Sequence, residues 1–451
     1  MSELIISVSG LRGIMGETLT PEIAARFVAA FVADLPPGPI VIGRDGRASG
    51  PELAEAIAAG LVAGGRDVLD AGPAATPTVG VLVRSLKAAG GVQISASHNP
   101  PQYNGLKLFS AEGRVIPATA GQRVIERFRE RTAAASFAEA LGAVKALDDT
   151  TTAHWQLIRP CINLERIRQR RFKVLLDANH GAGGVMGKRL LNELGCEATI
   201  VGATPDGMFA HPPEPTAENL AGILTQVRES GSDVGFCQDP DADRLAVIDA
   251  AGNYLGEEST LAICVDHVLQ ARRGPIVTNC STSRMSEDIA ARYGAAFSRS
   301  AVGEANVVDE MLRRGAILGG EGNGGVVDPR VVLVRDSFIG MALILDAMAA
   351  RKMTVANLAA ELPHYVMHKD KMTLLREKLP AALQAMERYF ADAASDRLDG
   401  LRLDWPARWL LVRGSNTEPI VRLMSEAETA EQAQRLCREA GQVLTAASVI
   451  Q

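Results

Sequence analysis

Apolar runs that fit β-strands alternate with amphipathic segments that fit α-helices along most of the chain. The run at 39–45 predicts a strand, the segment 51–65 predicts a helix, and the run at 90–97 predicts a buried strand that ends in a turn. The same order restarts with the run at 172–179 and again with the run at 274–281. Because alternating strands and helices are typical of α/β architecture, the pattern predicts three related α/β domains.

The end of the chain has a different order of elements. A helix is predicted at 380–394, strands are predicted at 401–406 and 408–415, and a closing helix is predicted at 429–445. This order indicates an α+β domain rather than a fourth copy of the α/β unit. The chain is therefore predicted to form four domains, with these bounds: 1–150, 151–254, 255–367 and 368–451.

Composition and charge argue against some classes of binding partner. The 451 residues are 47% hydrophobic and carry a net charge of −6, which argues against a nucleic acid partner because a phosphate backbone binds to a basic surface. The first residues lack the pattern of a secretory signal, and no apolar run is long enough to cross a membrane. The six scattered cysteines predict reduced thiols, so we expect a cytoplasmic protein without a membrane partner.

Three aspartates at alternate positions form a candidate metal site. Asp239, Asp241 and Asp243 lie between two apolar runs, and hard carboxylate oxygens suit Mg²⁺ or Ca²⁺. An EF-hand loop is excluded, because Arg244 stands where that loop needs glycine and Ala250 stands where it needs glutamate. The alternative is a solvated acidic turn. The positive charge of Arg244 favours a site that also receives an anion.

A serine at the end of the predicted strand at 90–97 is a candidate nucleophile. Ser97 is followed by His98, and Lys107 lies a few residues further along the chain. The G-x-S-x-G turn of the α/β hydrolases is absent, so the pattern does not indicate acyl transfer. The alternative is a turn in which the serine hydroxyls and Asn99 cap backbone groups.

The segment 413–419 has the residue types of a phosphate cradle. Glycine exposes backbone N–H groups there, serine and threonine add hydroxyls, and Arg413 and Arg422 supply positive charge. The alternative is a polar turn.

The segment 319–325 contains five glycines among its seven residues. We expect a loop rather than a packed element, since glycine weakens strands and helices. Glu321 and Asn323 alternate on this segment, as a site that grasps sugar hydroxyls requires. A flexible hinge is the alternative.

Taken together, these motifs resemble the α-D-phosphohexomutase family. Its members carry T-A-S-H-N-P, D-x-D-x-D-R, G-E-x-S/N-G and R-x-S-N-T-E-P in this order, and this chain has matching segments at 95–100, 239–244, 320–324 and 413–419. The resemblance covers the whole chain, with about one motif in each domain. It implies four domains around a central cleft, and a serine that carries the transferred phosphoryl group.

Residue by residue, the resemblance makes Ser97 the phosphoserine and a ligand of Mg²⁺ together with Asp239, Asp241 and Asp243. It places Arg12, Lys107 and Arg244 near the transferring phosphoryl group, and the segment 43–50 in support of the first domain's site. The general base is Lys107, with a pKa lowered by nearby cations, or else His98. The resemblance assigns sugar binding to Glu321 and Asn323. It assigns the binding of the substrate phosphate that does not react to a further group of residues: Arg413, Ser415, Asn416, Thr417 and Arg422.

The resemblance implies an isomerase that converts a hexose 6-phosphate to the 1-phosphate through a bisphosphate intermediate. Ala301 stands where other members often carry lysine, and Gly325 stands where many carry histidine. The forms G-E-G-N-G-G and V-G-E-A-N-V are most similar to phosphoglucosamine mutases, whose relatives include phosphomannomutase/phosphoglucomutase enzymes. The other hypotheses are a phosphatase with the same serine and a non-catalytic sugar-phosphate sensor. We expect a monomer or a homodimer.

Overall fold

The structure is a computed structural model, which describes residues 4–130, 138, 140–414 and 420–449. In the first domain a mixed sheet has the strand order β1-β2-β6-β5-β3-β4-β7. Its strands are β1 (Ile5–Ser7), β2 (Gly10–Ile14), β3 (Ile40–Arg44), β4 (Val68–Pro73), β5 (Gly90–Ile94), β6 (Tyr103–Ser110) and β7 (Val144–Ala146). Its helices are α1 (Pro21–Val32), α2 (Gly50–Ala63), α3 (Thr76–Ser85) and α4 (Ala118–Glu130).

The second domain has a sheet with the order β11-β10-β8-β9, in which β10 and β11 are antiparallel and the other pairs are parallel. The strands are β8 (Lys173–Asp177), β9 (Glu197–Val201), β10 (Val234–Gln238) and β11 (Leu245–Asp249). The helices are α5 (Thr152–Ile158), α6 (Leu164–Arg170), α7 (Gly183–Glu193) and α8 (Ala221–Ser230).

The third domain repeats this arrangement in the order β13-β12-β14-β15. The strands are β12 (Ile276–Asn279), β13 (Phe297–Ser300), β14 (Leu318–Glu321) and β15 (Gly325–Val327). The helices are α9 (Glu257–Ala271), α10 (Met285–Arg292), α11 (Glu304–Arg314), α12 (Ser337–Arg351) and α13 (Val355–Ala360). Helix α12 is central, since the side chains of residues 337–349 are all buried in a core that also contains residues of the first two domains.

The C-terminal domain is an antiparallel sheet in the order β16-β20-β19-β18-β17, and helices cover it. The strands are β16 (Val366–Thr373), β17 (Ala394–Asp396), β18 (Leu401–Trp405), β19 (Arg408–Gly414) and β20 (Ile420–Ala427), and the helices are α14 (Leu379–Tyr389) and α15 (Ala430–Val449). The predicted fold class of three α/β domains and an α+β domain is confirmed, although the last domain contains more β-structure than we expected. Among the helices of the described ranges, none has the length and apolarity to cross a membrane.

The prediction of a loop at 319–325 is wrong, because most of this segment forms the buried hairpin of β14 and β15. The glycines permit close packing there. A Cβ atom on Gly320 would lie 2.2 Å from the backbone oxygen of Gly325 on the facing strand. Here tertiary packing overrides the low strand propensity of glycine.

The pairing of β2 with β6 brings two predicted site residues to the same part of the sheet. Gly10 lies opposite Lys107, and Arg12 lies opposite Gly105. Gly10 has a φ of +152°, and a Cβ atom there would lie only 1.7 Å from the Leu106 carbonyl oxygen. A side chain at this position would therefore separate the two strands.

We predict that Gly10→Ala lowers the free energy of unfolding by at least about 2 kcal/mol, because the methyl group collides with backbone atoms. Urea unfolding followed by circular dichroism measures the change. Gly222→Ala is the matched control, since a Cβ atom on this helical glycine meets nothing within 4 Å. Equal stability of the two variants would contradict the prediction.

Candidate active site

Ser97 lies in the turn after β5, which we call the serine loop (95–100). Its φ of +50° is unusual for a residue with a side chain and aims the hydroxyl toward the second domain. The Ser97 Oγ atom donates a hydrogen bond to Asp239 Oδ2 over 2.7 Å, and the Ser95 hydroxyl accepts a bond of 2.8 Å from the Ser97 amide. The turn thus places a buried serine against the predicted metal site.

Arg47 fixes the backbone of the serine loop. Its guanidinium donates to the carbonyl oxygens of Ser97 over 2.7 Å and of Asn99 over 2.6 Å, and it pairs with Asp45 over 3.0 Å. The ring of Phe209, from the second domain, lies 5.2 Å from this guanidinium. The segment 43–50 therefore contacts the serine loop directly.

The three aspartates of the loop between β10 and β11, called the metal loop (239–243), are fully buried. One oxygen of each lies within 4.8 Å of one oxygen of the others. Among the described residues, Asp241 Oδ1 and Asp243 Oδ1 have no hydrogen-bond partner. Burial, and then the charge of Asp241, raise the pKa of Asp239. Free carboxylate oxygens that converge in a buried site fit a divalent metal ion.

Lys107 lies between two of these carboxylates. Its ammonium group is 2.6 Å from Asp241 Oδ2 and 2.6 Å from Asp243 Oδ2. Burial alone lowers the pKa of Lys107, but the charges of the two aspartates outweigh it and the pKa is raised. The lowered pKa that we expected for this lysine is therefore wrong for the structure as it stands, because its nearest charges are carboxylates rather than cations.

His98 has the opposite charge environment. Its Nδ1 atom lies 3.3 Å from Ser97 Oγ. Burial first, and then the charges of Arg244 and Arg12, lower the pKa of His98 to about 3, so the imidazole is neutral at pH 7. Arg12 donates to the Asn99 side chain over 3.2 Å, and the Arg244 amide donates to Asp239 Oδ1 over 3.1 Å. The positive charges of Arg12 and Arg244 thus lie close enough to His98 to affect its pKa.

The turn of the hairpin at 321–325 borders the same region. Glu321 accepts a hydrogen bond from the Asn279 amide group over 2.7 Å and pairs with Arg335 over 2.5 Å. The side-chain oxygen of Asn323 is buried and, within the described ranges, has no partner. This oxygen is available to a ligand.

Sequence reasoning missed two residues of the site. Arg335 is buried and contacts Asp243 at 2.6 Å as well as Glu304 at 2.9 Å, so it links the metal loop to the third domain. The Thr76 hydroxyl, at the start of α3, donates to Asp241 Oδ2. Neither residue belongs to a local motif, and only the packing of the domains brings them here.

Two of the predicted site residues, Arg413 and Arg422, belong to the C-terminal domain. Arg413 and Arg422 are directly opposite each other on β19 and β20, and facing like charges favour a bound anion. Arg413 pairs with Asp399 at 2.8 Å, and Asp399 also accepts a bond of 2.9 Å from the Val302 amide of the third domain. Within the described ranges, no hydrogen bond joins either arginine to Ser97 or to the metal loop. Ser415, Asn416 and Thr417 lie outside the described residues.

Family models of the phosphoglucomutase/phosphomannomutase domains match the chain in order. The α/β/α domains I, II and III match residues 4–135, 152–252 and 257–365, and the C-terminal domain matches residues 370–441. The matches account for all four motifs that we found in the sequence.

Individual relatives agree with these models. The chain is 37% identical over 434 residues to a phosphoglucomutase/phosphomannomutase of Thermococcus kodakarensis, and the match covers 94% of each protein. It is 32% identical over 442 residues to a protein of Thermococcus gammatolerans that is named probable phosphoglucosamine mutase, with 96% of each covered. The solved structure of a phosphoglucomutase/phosphomannomutase family protein from Burkholderia thailandensis superposes with a TM-score of 0.82, at 28% identity over 98% of each chain. The chain therefore belongs to the phosphoglucomutase/phosphomannomutase family of phosphohexomutases, which are isomerases that transfer a phosphoryl group within one sugar phosphate.

Proposed function

We propose that this enzyme interconverts glucosamine 6-phosphate and glucosamine 1-phosphate through a phosphoserine at Ser97 and a bisphosphorylated sugar. The observation that carries the proposal is the bond of 2.7 Å between the Ser97 hydroxyl and Asp239, in a buried group of carboxylates and cations. Phosphoryl transfer depends on positioning and on charge neutralisation, and this group provides both.

In this proposal, Ser97 and the three aspartates of the metal loop hold Mg²⁺. The ion would neutralise oxygens of the phosphoryl group during transfer. Lys107 and Arg244 contribute further positive charge on the protein side. A Lys107 ammonium that stays protonated suits this electrostatic role better than the role of a base.

The transfer step has a simple balance of bonds. A sugar hydroxyl oxygen forms a bond to the phosphorus of phospho-Ser97, the bond from phosphorus to Ser97 Oγ breaks, and the hydroxyl proton moves to a base. His98 is neutral and lies 3.3 Å from Ser97 Oγ, so we assign to His98 rather than to Lys107 the proton of the Ser97 hydroxyl, which is the attacking group when the phosphoryl group returns from the bisphosphate to the enzyme. Burial, and then the charges of Arg244 and Arg12, keep the pKa of His98 low, and the negative charge of a phosphoserine would raise it.

The proposed grip on the non-reacting phosphate belongs to the C-terminal domain. Arg413 and Arg422 face each other across a strand pair, and a phosphate between them would offset their repulsion. Glu321 and Asn323 would bind sugar hydroxyls. This division lets one end of the sugar react while the other end is held.

The preference for glucosamine is supported by the motif forms and by relatives. Several relatives of 31–33% identity, from Thermococcus, Pyrococcus, Methanopyrus and Methanosarcina, carry the name probable phosphoglucosamine mutase. The Thermococcus kodakarensis phosphoglucomutase/phosphomannomutase, at 37% identity, favours glucose and mannose phosphates as the second candidate. Nothing in the comparisons supports a non-catalytic sensor.

A substrate panel tests the proposed function. We expect the enzyme, primed with a hexose bisphosphate, to isomerise the 6-phosphate of glucosamine with a higher kcat/KM than those of glucose and mannose. Product identification by NMR is the measurement. A higher kcat/KM for glucose or mannose would select the second candidate, release of inorganic phosphate would indicate a phosphatase, and binding without turnover would indicate a sensor.

We predict that Ser97 carries phosphate in the active enzyme. Intact-mass analysis should find one added phosphoryl group, and peptide mapping should place it on Ser97. Ser97→Ala should lose most of its activity with an unchanged circular dichroism spectrum, since the hydroxyl is a nucleophile rather than a packing group. Phosphate on Ser95, together with a fully active Ser97→Ala variant, would refute the assignment.

Loss of a residue that binds the non-reacting phosphate should change the kinetic constants differently from loss of a residue that contacts the transition state. A charge-assisted hydrogen bond contributes about 1.5–3 kcal/mol, so Arg422→Ala should raise KM roughly 10–100-fold. Arg244→Ala should act mainly on kcat, because Arg244 lies beside the reacting group. Steady-state kinetics on the two variants decide the matter, and an unchanged KM in Arg422→Ala would remove the C-terminal domain from substrate binding.

A further inference from the structure

A buried histidine outside the site joins three domains. His154, on α5, is inaccessible to solvent. Its Nδ1 atom lies 2.9 Å from the Thr78 hydroxyl of α3, and its Nε2 atom lies 2.8 Å from Asp336 Oδ2 at the start of α12. Asp336 Oδ1 accepts from two backbone amides, and we assign Oδ2 as the acceptor from His154 Nε2–H, so that Nδ1 accepts from the Thr78 hydroxyl.

This threonine, histidine and aspartate have the order of a catalytic triad but not its accessibility. All three side chains are buried, and the His154 ring packs edge-on against Phe338 at a centroid distance of 5.5 Å. The other oxygen of Asp336 accepts bonds from the Phe338 and Ile339 amides and so caps α12. Because Thr78 is buried, a substrate cannot reach its hydroxyl. Thr78, His154 and Asp336 therefore do not act as a catalytic triad.

The residues beside this group hold the metal loop from two sides. On α3, the Thr76 amide donates to the Asp241 carbonyl oxygen over 2.9 Å, and the Thr76 hydroxyl donates to the Asp241 carboxylate. At the start of α12, Arg335 contacts Asp243 at 2.6 Å, and the Ser337 hydroxyl donates to the Ala242 carbonyl oxygen over 2.7 Å. His154 thus connects the two helix starts that contact residues 241, 242 and 243.

Two features of the metal loop make its conformation unfavourable unless neighbouring residues stabilise it. Ala242 has a φ of +55°, a conformation that a residue with a Cβ atom adopts only when its surroundings hold it there. The carboxylates on either side of it are buried and close together, so they repel each other.

We propose that His154 is a positioning residue for the metal loop. Its two hydrogen bonds fix the starts of α3 and α12 relative to each other and thereby hold Asp241 and Asp243 at the spacing that a divalent cation requires. The inference rests on the proposed metal role of this loop. Loss of the His154 bonds should weaken metal binding without altering the arginines of the C-terminal domain.

The test measures metal binding without turnover. Mn²⁺ titration, followed by the electron paramagnetic resonance signal of free Mn²⁺, gives the dissociation constant for proteins of matched phosphorylation state. We expect His154→Phe to weaken Mn²⁺ binding about tenfold, which is the lower end of the loss caused by removal of a direct partner of a metal ligand, because His154 acts on the ligands only through the starts of α3 and α12. Thr78→Val should act in the same direction, and His154→Gln, whose amide can still donate to Asp336, should recover part of the loss.

The chain offers a matched control in His267 of α9, which also bonds to an aspartate of α12. His267 Nε2 lies 3.0 Å from Asp346 Oδ2 of α12, in a buried pair for which the structure gives no bond to the metal loop. His267→Phe removes a comparable bond, so it should lower the unfolding temperature while Mn²⁺ affinity stays as in the wild type. In kinetics with Mg²⁺, His154→Phe should lower kcat more than it raises the KM for the sugar phosphate.

Two results would overturn this inference and leave the proposed metal role unchanged. One is wild-type Mn²⁺ affinity in a folded His154→Phe variant, and the other is an equal loss of Mn²⁺ affinity in His267→Phe. If His154→Phe does not fold, Thr78→Val decides, and its unchanged Mn²⁺ affinity would overturn the inference. A wild-type protein that binds no Mn²⁺ would instead overturn the proposed metal role, and this inference with it. Asp241→Asn, which alters a proposed ligand, provides the reference for impaired binding.

Discussion

The arrangement of the first three domains depends on one electrostatic constraint, the burial of three carboxylates in a single short loop. Two unit charges at 4.8 Å repel by about 3–4 kcal/mol at an effective dielectric constant of about 20, and burial adds a desolvation cost for each. The second domain, which carries the loop, offsets part of this charge through Arg244 and through backbone amides that donate to Asp239. Lys107 comes from the first domain and Arg335 from the third, so the charge of this loop holds the three domains together.

The fold was largely predictable, because buried strands of parallel sheets are continuous apolar runs. The run predicted at 39–45 is β3 (Ile40–Arg44), and the run predicted at 274–281 contains β12 (Ile276–Asn279). The prediction was wrong where local propensity and tertiary packing disagree. The glycine-rich hairpin of β14 and β15 has weak strand propensity, but facing backbones leave no room for side chains. The helix predicted at 380–394 ends at Tyr389, and Ala394 already begins a strand.

The residues of the site show the same difference between what a local sequence pattern predicts and what tertiary packing determines. Ser97 and the three aspartates stand in local motifs, so the sequence alone indicated them, and the structure brings them into contact. Arg335 and Thr76 are single residues whose importance comes from a neighbour far along the chain, and no local pattern indicates them. The pKa of Lys107 was predicted in the wrong direction for a related reason. The sign of a pKa shift depends on which charges lie nearest in space, and the prediction considered the nearby cations but not the aspartates.

The contact between Arg413 and Asp399 has a consequence for the order of events in catalysis. If Arg413 holds the retained phosphate as proposed, the incoming phosphate meets a guanidinium whose Nε atom is already bonded to Asp399, a carboxylate that also accepts a bond from the third domain. The carboxylate and the phosphate then share one positive charge, so the phosphate binds less tightly than it would to an arginine without an acidic partner. A bisphosphate that turns end for end has to leave one phosphate site and return with its other end. A carboxylate that already shares the arginine would shorten the time for which each phosphate is bound, so Asp399 would affect the rate of exchange as well as the strength of binding.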